Sequence, residues 1–248
     1  MSTRYAVYYV PPPDDPLCRR GQAWLGRDAF TGTPLPVPDV PGVEPGVLAQ
    51  LLEPPRHYGF HATMKAPFRL REDTGEAALI AAFDAFCAET PPAAVGGLQV
   101  GDLQGFLALV CRQPSEAVDR LADRVVEAFD GFRAPLSEAE RARRRPERLS
   151  ERQRRQLDRW GYPWVGVDFT FHMTLTGRIE DAGLRQRLRA HLERRIGACA
   201  RTLDRLGHLA LFRQADPAAP FLALRHRSLA GPEADRRASS TFAKSSIN

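Results

Sequence analysis

The chain has 248 residues, 43% of them hydrophobic and 26% charged, a balance ordinary for a globular protein and long enough for one large domain or two small ones. A formal net charge of +5 and a pI near 9.3 favour an anionic ligand without naming it. The cysteines, Cys18, Cys87, Cys111 and Cys199, form no C-x-x-C pair, which argues against a zinc knuckle or redox pair and makes reduced thiols the simplest reading. The N-terminus lacks the regions of a signal peptide and no apolar run approaches a membrane span, so a cytoplasmic protein without a membrane segment is expected.

Arg4 to Val10, rich in Tyr and Val and stopped by Pro11 to Pro13, predicts a first strand. Pro16 to Leu25 predicts a short helix, and Thr31 to Pro45, crowded with proline and glycine, an irregular loop. A brief helix over Gly46 to Leu52 leads into a strand within Tyr58 to Phe68. Thr74 to Thr90 reads as an amphipathic helix behind a capping threonine. Leu98 to Arg112 reads as two strands around Gly105, and Ser115 to Phe129 as a second helix with Val118, Leu121, Ala122, Val125 and Phe129 as its buried stripe. Ser137 to Trp160 holds nine Arg against five Asp or Glu and predicts two exposed helices broken at Pro146, inserted between the halves. The second half repeats the plan: strand Val165 to Thr176, helix Asp181 to Cys199, strands Leu206 to Gln214 and Phe221 to His226. The expected fold is α+β, two similar lobes that each carry a small antiparallel sheet flanked by helices, across a central cleft. Lobe one covers about 1–135, the insertion 137–160 and lobe two 161–230, with 231–248 read as a disordered tail.

Two of these strands share one pattern. YGFHATMKAPF at Tyr58 to Phe68 and FTFHMTLT at Phe169 to Thr176 each place an aromatic before His, an apolar residue, then Thr. Side chains two apart on a strand share a face, so His61 points with Thr63 and His172 with Thr174. Phe60, Ala62, Met64 and Ala66, like Phe171, Met173 and Leu175, take the core face. Lys65 and Thr176 continue the polar faces. Two such strands side by side collect two imidazoles and two hydroxyls around one small cavity. An imidazole can take or give a proton near neutral pH, and one of each task is what phosphodiester hydrolysis needs. The hydroxyls can donate to the non-bridging oxygens as charge develops. No metal or other cofactor is called for.

At these residues the chain resembles the 2H phosphoesterase superfamily, defined by two such HxT motifs, one per half. The flanking words RYAVYYVPP, WLGRD, RHYGFHATMKAPFRL, FRAPLS, RWGYP and FTFHMTLTG are similar to the branch found beside bacterial phosphonate-degradation (carbon–phosphorus lyase) genes, over roughly residues 3 to 229. The resemblance implies a metal-independent cyclic phosphodiesterase with His61 and His172 as acid and base, in either order, and Thr63 and Thr174 on the phosphoryl oxygens. It points to a small phosphorylated substrate, such as a ribose cyclic phosphate. An RNA 2′,3′-cyclic phosphodiesterase or end-processing enzyme, served by the basic insertion, is one rival; a non-catalytic protein that binds RNA or a phosphorylated ligand is another. No stable protein partner is predictable.

Other candidates carry less specific signals. Lys65 is placed to hold a phosphate, or to snorkel to solvent. Arg56 and Tyr58 are close enough in sequence to reach the cleft rim. Arg133 in FRAP and Tyr162 in WGYP shape the pocket or support a turn. His57 and His61 stand four apart, a metal-binding spacing on a helix, but Gly59 between them and the absence of an acidic cluster argue against it. The arginine run offers RNA phosphates a surface, although a solvated helix face explains it more simply, since no aromatic residues interleave with it.

Overall fold

A computed structural model of the protein describes residues 3–231. Most of the expected strands and helices form close to their predicted places, with junctions set by local chemistry, but the strand expected over Val165 to Thr176 begins only at His172, because a 3₁₀ turn at Gly166–Asp168 occupies the earlier part. Strand β1 (Arg4–Tyr9) leads to α1 (Pro16–Leu25), opened by Asp15, whose carboxylate accepts from Leu17 N, and closed by Gly26 at φ 72°. Helix α2 (Pro45–Tyr58) is longer than expected. It continues through Pro54 and Pro55 in its later turns, so Arg56, His57 and Tyr58 are helical and Gly59 makes the sharp exit into β2 (Ala62–Phe68).

Helix α3 (Glu76–Glu89) starts behind Gly75 rather than Thr74, whose hydroxyl donates instead to Arg71 O. A two-residue strand β3 (Ala93–Ala94) precedes the hairpin of β4 (Leu98–Leu103) and β5 (Phe106–Cys111). Gln104 and Gly105 turn it with positive φ at both positions, as a tight hairpin requires. Helix α4 (Glu116–Asp130) is capped by Ser115. The insertion is the broken helix pair expected: α5 (Glu138–Arg143), a 3₁₀ turn at Pro146–Arg148, and α6 (Glu151–Trp160). Ser137 with Glu140 and Ser150 with Gln153 close a capping box at each start. The second half supplies β6 (His172–Arg178), α7 (Ala182–Arg195), α8 (Gly197–Arg201), β7 (Arg205–Leu206), β8 (His208–Gln214) and β9 (Leu222–Ser228).

The α+β class and the antiparallel pairing stand as expected. The strands do not sort into two sheets by chain half, however. Seven of them form one sheet in the order β4-β5-β6-β2-β1-β8-β9, and β3 pairs with β7 apart from it. Second-half β6 lies beside first-half β5, and first-half β1 beside second-half β8. The halves are therefore interleaved, and the two motif strands become neighbours at the centre, paired through the single register Ala62↔Met173.

Helices cover one face. α4 packs on β2, α2 on β6, α3 on β8 and β9, and α7 on β4 and β5. The core between carries Val7, Tyr9, Met64, Leu109, Met173 and Leu211, all nearly or fully buried. On the other face Ala6, Tyr8, Val10, Phe212 and Phe221 form a smaller apolar cluster. Trp24 ties the helical layer to the second motif strand by donating from Nε1 to Leu175 O at 2.8 Å. The four cysteines are free. Among the described residues no helix is long and apolar enough to cross a membrane. The tail expected from 231 onward lies, beyond Gly231 itself, outside the described residues.

Candidate functional site

The register Ala62↔Met173 organises the site. Carried one residue each way along antiparallel strands, it sets His61 opposite Thr174 and Thr63 opposite His172, and residues directly opposite share a face. The register thus sets each histidine across from the threonine of the other half.

Both imidazoles are held by the same local device. His61 Nδ1 lies 2.8 Å from Gly59 O, and His172 Nδ1 lies 2.8 Å from Thr170 O, in each case the carbonyl two residues upstream. A carbonyl only accepts, so Nδ1 is the donor and Nε2 is the ring atom left for other work. The Thr63 hydroxyl sits 3.2 Å from His61 Nε2. Burial pushes the His61 pKa down to about 4, helped by the nearby His172 and Arg27 and opposed by the Gly59 carbonyl. At neutral pH His61 is therefore an unprotonated base. Tyr8 lies against its ring, with centroids 3.9 Å apart and planes tilted by 31°. Tyr8 is fully buried and its hydroxyl has no hydrogen-bond partner among the described residues.

His61, Thr63 and Thr174 open onto a cavity of about 380 Å³. Tyr58 and Tyr162 wall it, the first stacked on Phe221 at 5.2 Å and 20°. Arg4, Arg143 and Arg144 reach it from the first strand and the insertion. His172 opens onto an adjoining recess of about 350 Å³ that shares Thr63 and Tyr162 with the first and is walled by Phe106, Trp164 and Phe169. Of the expected residues, His61, Tyr58, Thr63, Tyr162 and Thr174 therefore fall together around the larger cavity, His172 lines the adjoining recess, and Lys65 joins neither.

Lys65 is turned away by a β-bulge. Tyr8 pairs with Thr63 but Val7 pairs with Lys65, which leaves Met64 as the extra residue. The bulge breaks the two-residue period, so Lys65 leaves the Thr63 face for the helical layer, while Ala66 and Pro67 line the cavity. Its ammonium is buried, donating to Val126 O at 3.1 Å and Asp130 at 3.0 Å. It neither faces the cavity nor snorkels to solvent. Burial pushes the Asp130 carboxyl up, but hydrogen bonds from Arg133 and Lys65 outweigh that and hold it below the usual carboxylate range.

Arg133 belongs to the same network. It donates from Nε to Asp130 at 2.8 Å and from Nη2 to Arg159 O at 2.9 Å, joining α4 to the end of the insertion rather than lining the large cavity. Arg56 donates to Leu25 O at 2.7 Å and ties α2 to the end of α1. Thr176 is buried and its hydroxyl accepts from Leu107 N at 3.0 Å, filling an irregularity in the β5–β6 ladder. Among the described residues no three His, Cys, Asp or Glu side chains gather as a metal ion needs. His57 Nε2 instead accepts from Gln214 at 3.0 Å.

Arg4, Tyr8, Arg143 and Arg144 were not singled out by the motif reading. Tyr8 and Arg4 share the cavity face of an alternating strand, and alternation alone does not tell a lined cavity from a second core. Arg143 and Arg144 lie inside the conspicuous basic run, but only the docking of α5 selects them. That docking uses Glu140, which accepts from Arg69 at 3.0 Å and from Ser137 N at 2.8 Å. The Arg69 bonds draw the Glu140 pKa down to about 2.

A family model described as "Protein of unknown function (DUF1045)" matches residues 63–222. The chain belongs to this family. Among curated relatives of this DUF1045 chain is the ribose 1,5-bisphosphate phosphokinase PhnN of Janthinobacterium sp. (strain Marseille), 38% identical over 226 residues, which are 89% of this chain and 49% of that protein. The protein of the same name from Laribacter hongkongensis (strain HLHK9) is 33% identical over 225 residues, 88% of this chain and 50% of that one. The chain spans about half the length of the curated relatives it matches. Solved structures similar to it include Escherichia coli LigT complexed with 3′-AMP, at 13% identity and a TM-score of 0.40, covering 92% of this chain and 99% of that one. TT0787 of Thermus thermophilus follows at 16% identity and a TM-score of 0.42, with the same shares covered. A further one is a phosphoesterase, at 12% identity and a TM-score of 0.40, covering 92% and 99%. This DUF1045 chain resembles the 2H phosphoesterases in its motifs, and a phosphoesterase stands among the solved structures it is similar to.

Proposed function

We propose that the protein is a cyclic phosphodiesterase that opens a cyclic phosphate on a small sugar phosphate by paired-histidine acid–base catalysis, without a metal ion. The observation that carries this reading is the crossed pair of motifs, each histidine opposite the other half's threonine and each tethered through Nδ1 so that Nε2 is left for the substrate. His61 Nε2, kept unprotonated by desolvation, takes a proton from water as the water oxygen forms a bond to phosphorus. The bond from phosphorus to one ring oxygen breaks, and that oxygen takes a proton from His172 Nε2. Thr63 and Thr174 donate to the non-bridging oxygens. One water is consumed, and the product is a phosphomonoester beside a free hydroxyl.

The relatives' name suggests the sugar. Opening the 1,2-cyclic phosphate of ribose 5-phosphate at O2 yields ribose 1,5-bisphosphate, the compound in that name. Such a reaction would supply the phosphokinase named for those longer proteins. The phosphokinase reaction itself is not carried over. The two lysines of this chain, Lys65 and Lys244, follow no glycine-rich G-x-x-x-x-G-K run.

A second reading rests on the recess beside His172. Phe106, Phe169 and Trp164, the last 45% exposed, offer the aromatic surface on which a base stacks, which favours a nucleoside or RNA 2′,3′-cyclic phosphate. Phosphorus NMR in EDTA with ribose 1,2-cyclic phosphate 5-phosphate, nucleoside 2′,3′-cyclic phosphates and a short RNA ending in one separates these readings by which ring opens fastest. The sugar phosphate is expected to lead. A panel that stays closed while a phosphorylated ligand still binds would assign the protein a binding role instead.

A further inference from the structure

The cavity over His61 contains more positive charge than one phosphodiester needs. A cyclic phosphodiester carries a single negative charge, and the threonine hydroxyls of the two motifs already face it. Arg4, Arg143 and Arg144 line the same cavity, and no carboxylate among the described residues pairs with any of them. Within the insertion Arg141 pairs with Asp158, Arg152 with Asp168 and Arg155 with Glu151. By contrast, among the described residues the side chains of Arg143 and Arg144 make no hydrogen bond or ion pair, and Arg4 bonds only the neutral amide of Gln214, at 2.7 Å.

The one carboxylate that the described residues place on the cavity wall, Glu140, is taken by Arg69 and Ser137 N. It therefore docks the insertion instead of neutralising these arginines. Two of the guanidinium groups are also held over rings, Arg144 over Tyr162 at 4.9 Å and Arg4 over Phe221 at 5.4 Å. Stacking restrains the plane of a guanidinium while leaving its N–H edge free for an anion. Three such groups beside one cavity, with no described protein anion spare to pair them, make a site for a doubly charged phosphomonoester.

We propose that Arg4, Arg143 and Arg144 form a second anion subsite, distinct from the two-histidine centre, which takes a phosphomonoester carried by the same substrate. This rests on the cyclic phosphodiesterase reading above and narrows its substrate class to cyclic phosphates that also bear a remote phosphate. The cavity of about 380 Å³ falls within the size range of sites that enclose a small ligand.

The test compares uridine 2′,3′-cyclic phosphate with its 5′-phosphorylated form on the full chain, wild type and the Arg143→Gln/Arg144→Gln double variant, with Arg4→Gln as a separate variant. Wild type is expected to prefer the phosphorylated form by about tenfold to a hundredfold in KM, the worth of one or two charge-assisted hydrogen bonds. That ratio should collapse in the double variant and shrink in Arg4→Gln. Calorimetry with ribose 1-phosphate and ribose 1,5-bisphosphate reads the same preference without turnover. If wild type opens neither ring but still binds the bisphosphate more tightly, and the double variant loses that difference, the subsite stands and the hydrolytic reading falls. Equal KM values and equal affinities in wild type would overturn the subsite. So would an oligonucleotide ending in a cyclic phosphate that outcompetes the phosphorylated nucleotide, since a tracked polyanion would then be the occupant.

Discussion

At the scale of single residues, the two-histidine mechanism depends on where each imidazole keeps its proton. A histidine with its ordinary pKa loses its basic form as pH falls through about 6.5. His61 is pushed down to about 4 by burial, so the form needed by a base is present above pH 4 and is lost only as pH falls through that value. The profile of kcat/KM, which reports the free enzyme, should show no acid limb from this group between pH 7 and 5. An acid limb centred near 6.5 that moves when His61 is replaced would contradict the assignment. The same residue depends on Gly59, whose carbonyl fixes Nδ1. Gly59 has φ 85° and ψ 177°, and a Cβ there would stand 2.7 Å from Ala29 Cβ. Gly59→Ala is expected to cost about 1–3 kcal/mol of stability, typical of a conformation open to glycine alone, and to lower kcat in the protein that still folds. Urea melts and kinetics on the same preparation measure both.

At the scale of elements, the sequence was most readable where it carries punctuation. Pro16 and Gly26 bracket α1, Ser115 opens α4, Pro146 divides the insertion, and the helices and turns stand where these residues imply. Two failures share a cause, because both come from pairing and packing that no local pattern records. Pro54 and Pro55 argue for stopping α2 early, yet the helix continues over them where it packs on β6. Alternation puts Lys65 beside Thr63, yet a bulge at Met64 rotates it into the helical layer. The correction changes what its removal should do. Lys65→Met takes one partner from a buried ion pair, which costs about 3 kcal/mol or more when the remaining charge is uncompensated. Arg133 still holds Asp130 at 2.8 Å, so the expected loss lies at or below that figure. A lower melting temperature with a kcat near wild type is the predicted outcome. A stable Lys65→Met protein with kcat reduced a hundredfold would return Lys65 to the reaction.

At the scale of the whole molecule, both halves contribute to one site because their strands are exchanged within one sheet. The pairing of each motif histidine with the threonine two residues on was legible from the two-residue period, whereas its extension to Lys65 and Ala66 failed at the bulge. The order β4-β5-β6-β2-β1-β8-β9 was not legible, since repeated element order in the two halves is equally compatible with two separate sheets. Nor was the docking of the insertion, which turns a charge run with the look of a solvated face into a wall of the cavity through Arg69 and Glu140. The central claim is that one imidazole from each half acts on the same phosphorus. It is tested most directly by following ring opening of ribose 1,2-cyclic phosphate 5-phosphate by phosphorus NMR in excess EDTA, with wild type, His61→Ala and His172→Ala side by side. Paired-histidine catalysis predicts turnover by wild type in chelator and a loss of about 10²–10⁴-fold in each variant, the usual contribution of a positioned acid or base. Turnover that stops in EDTA, or that survives in either histidine variant at the wild-type rate, would contradict it.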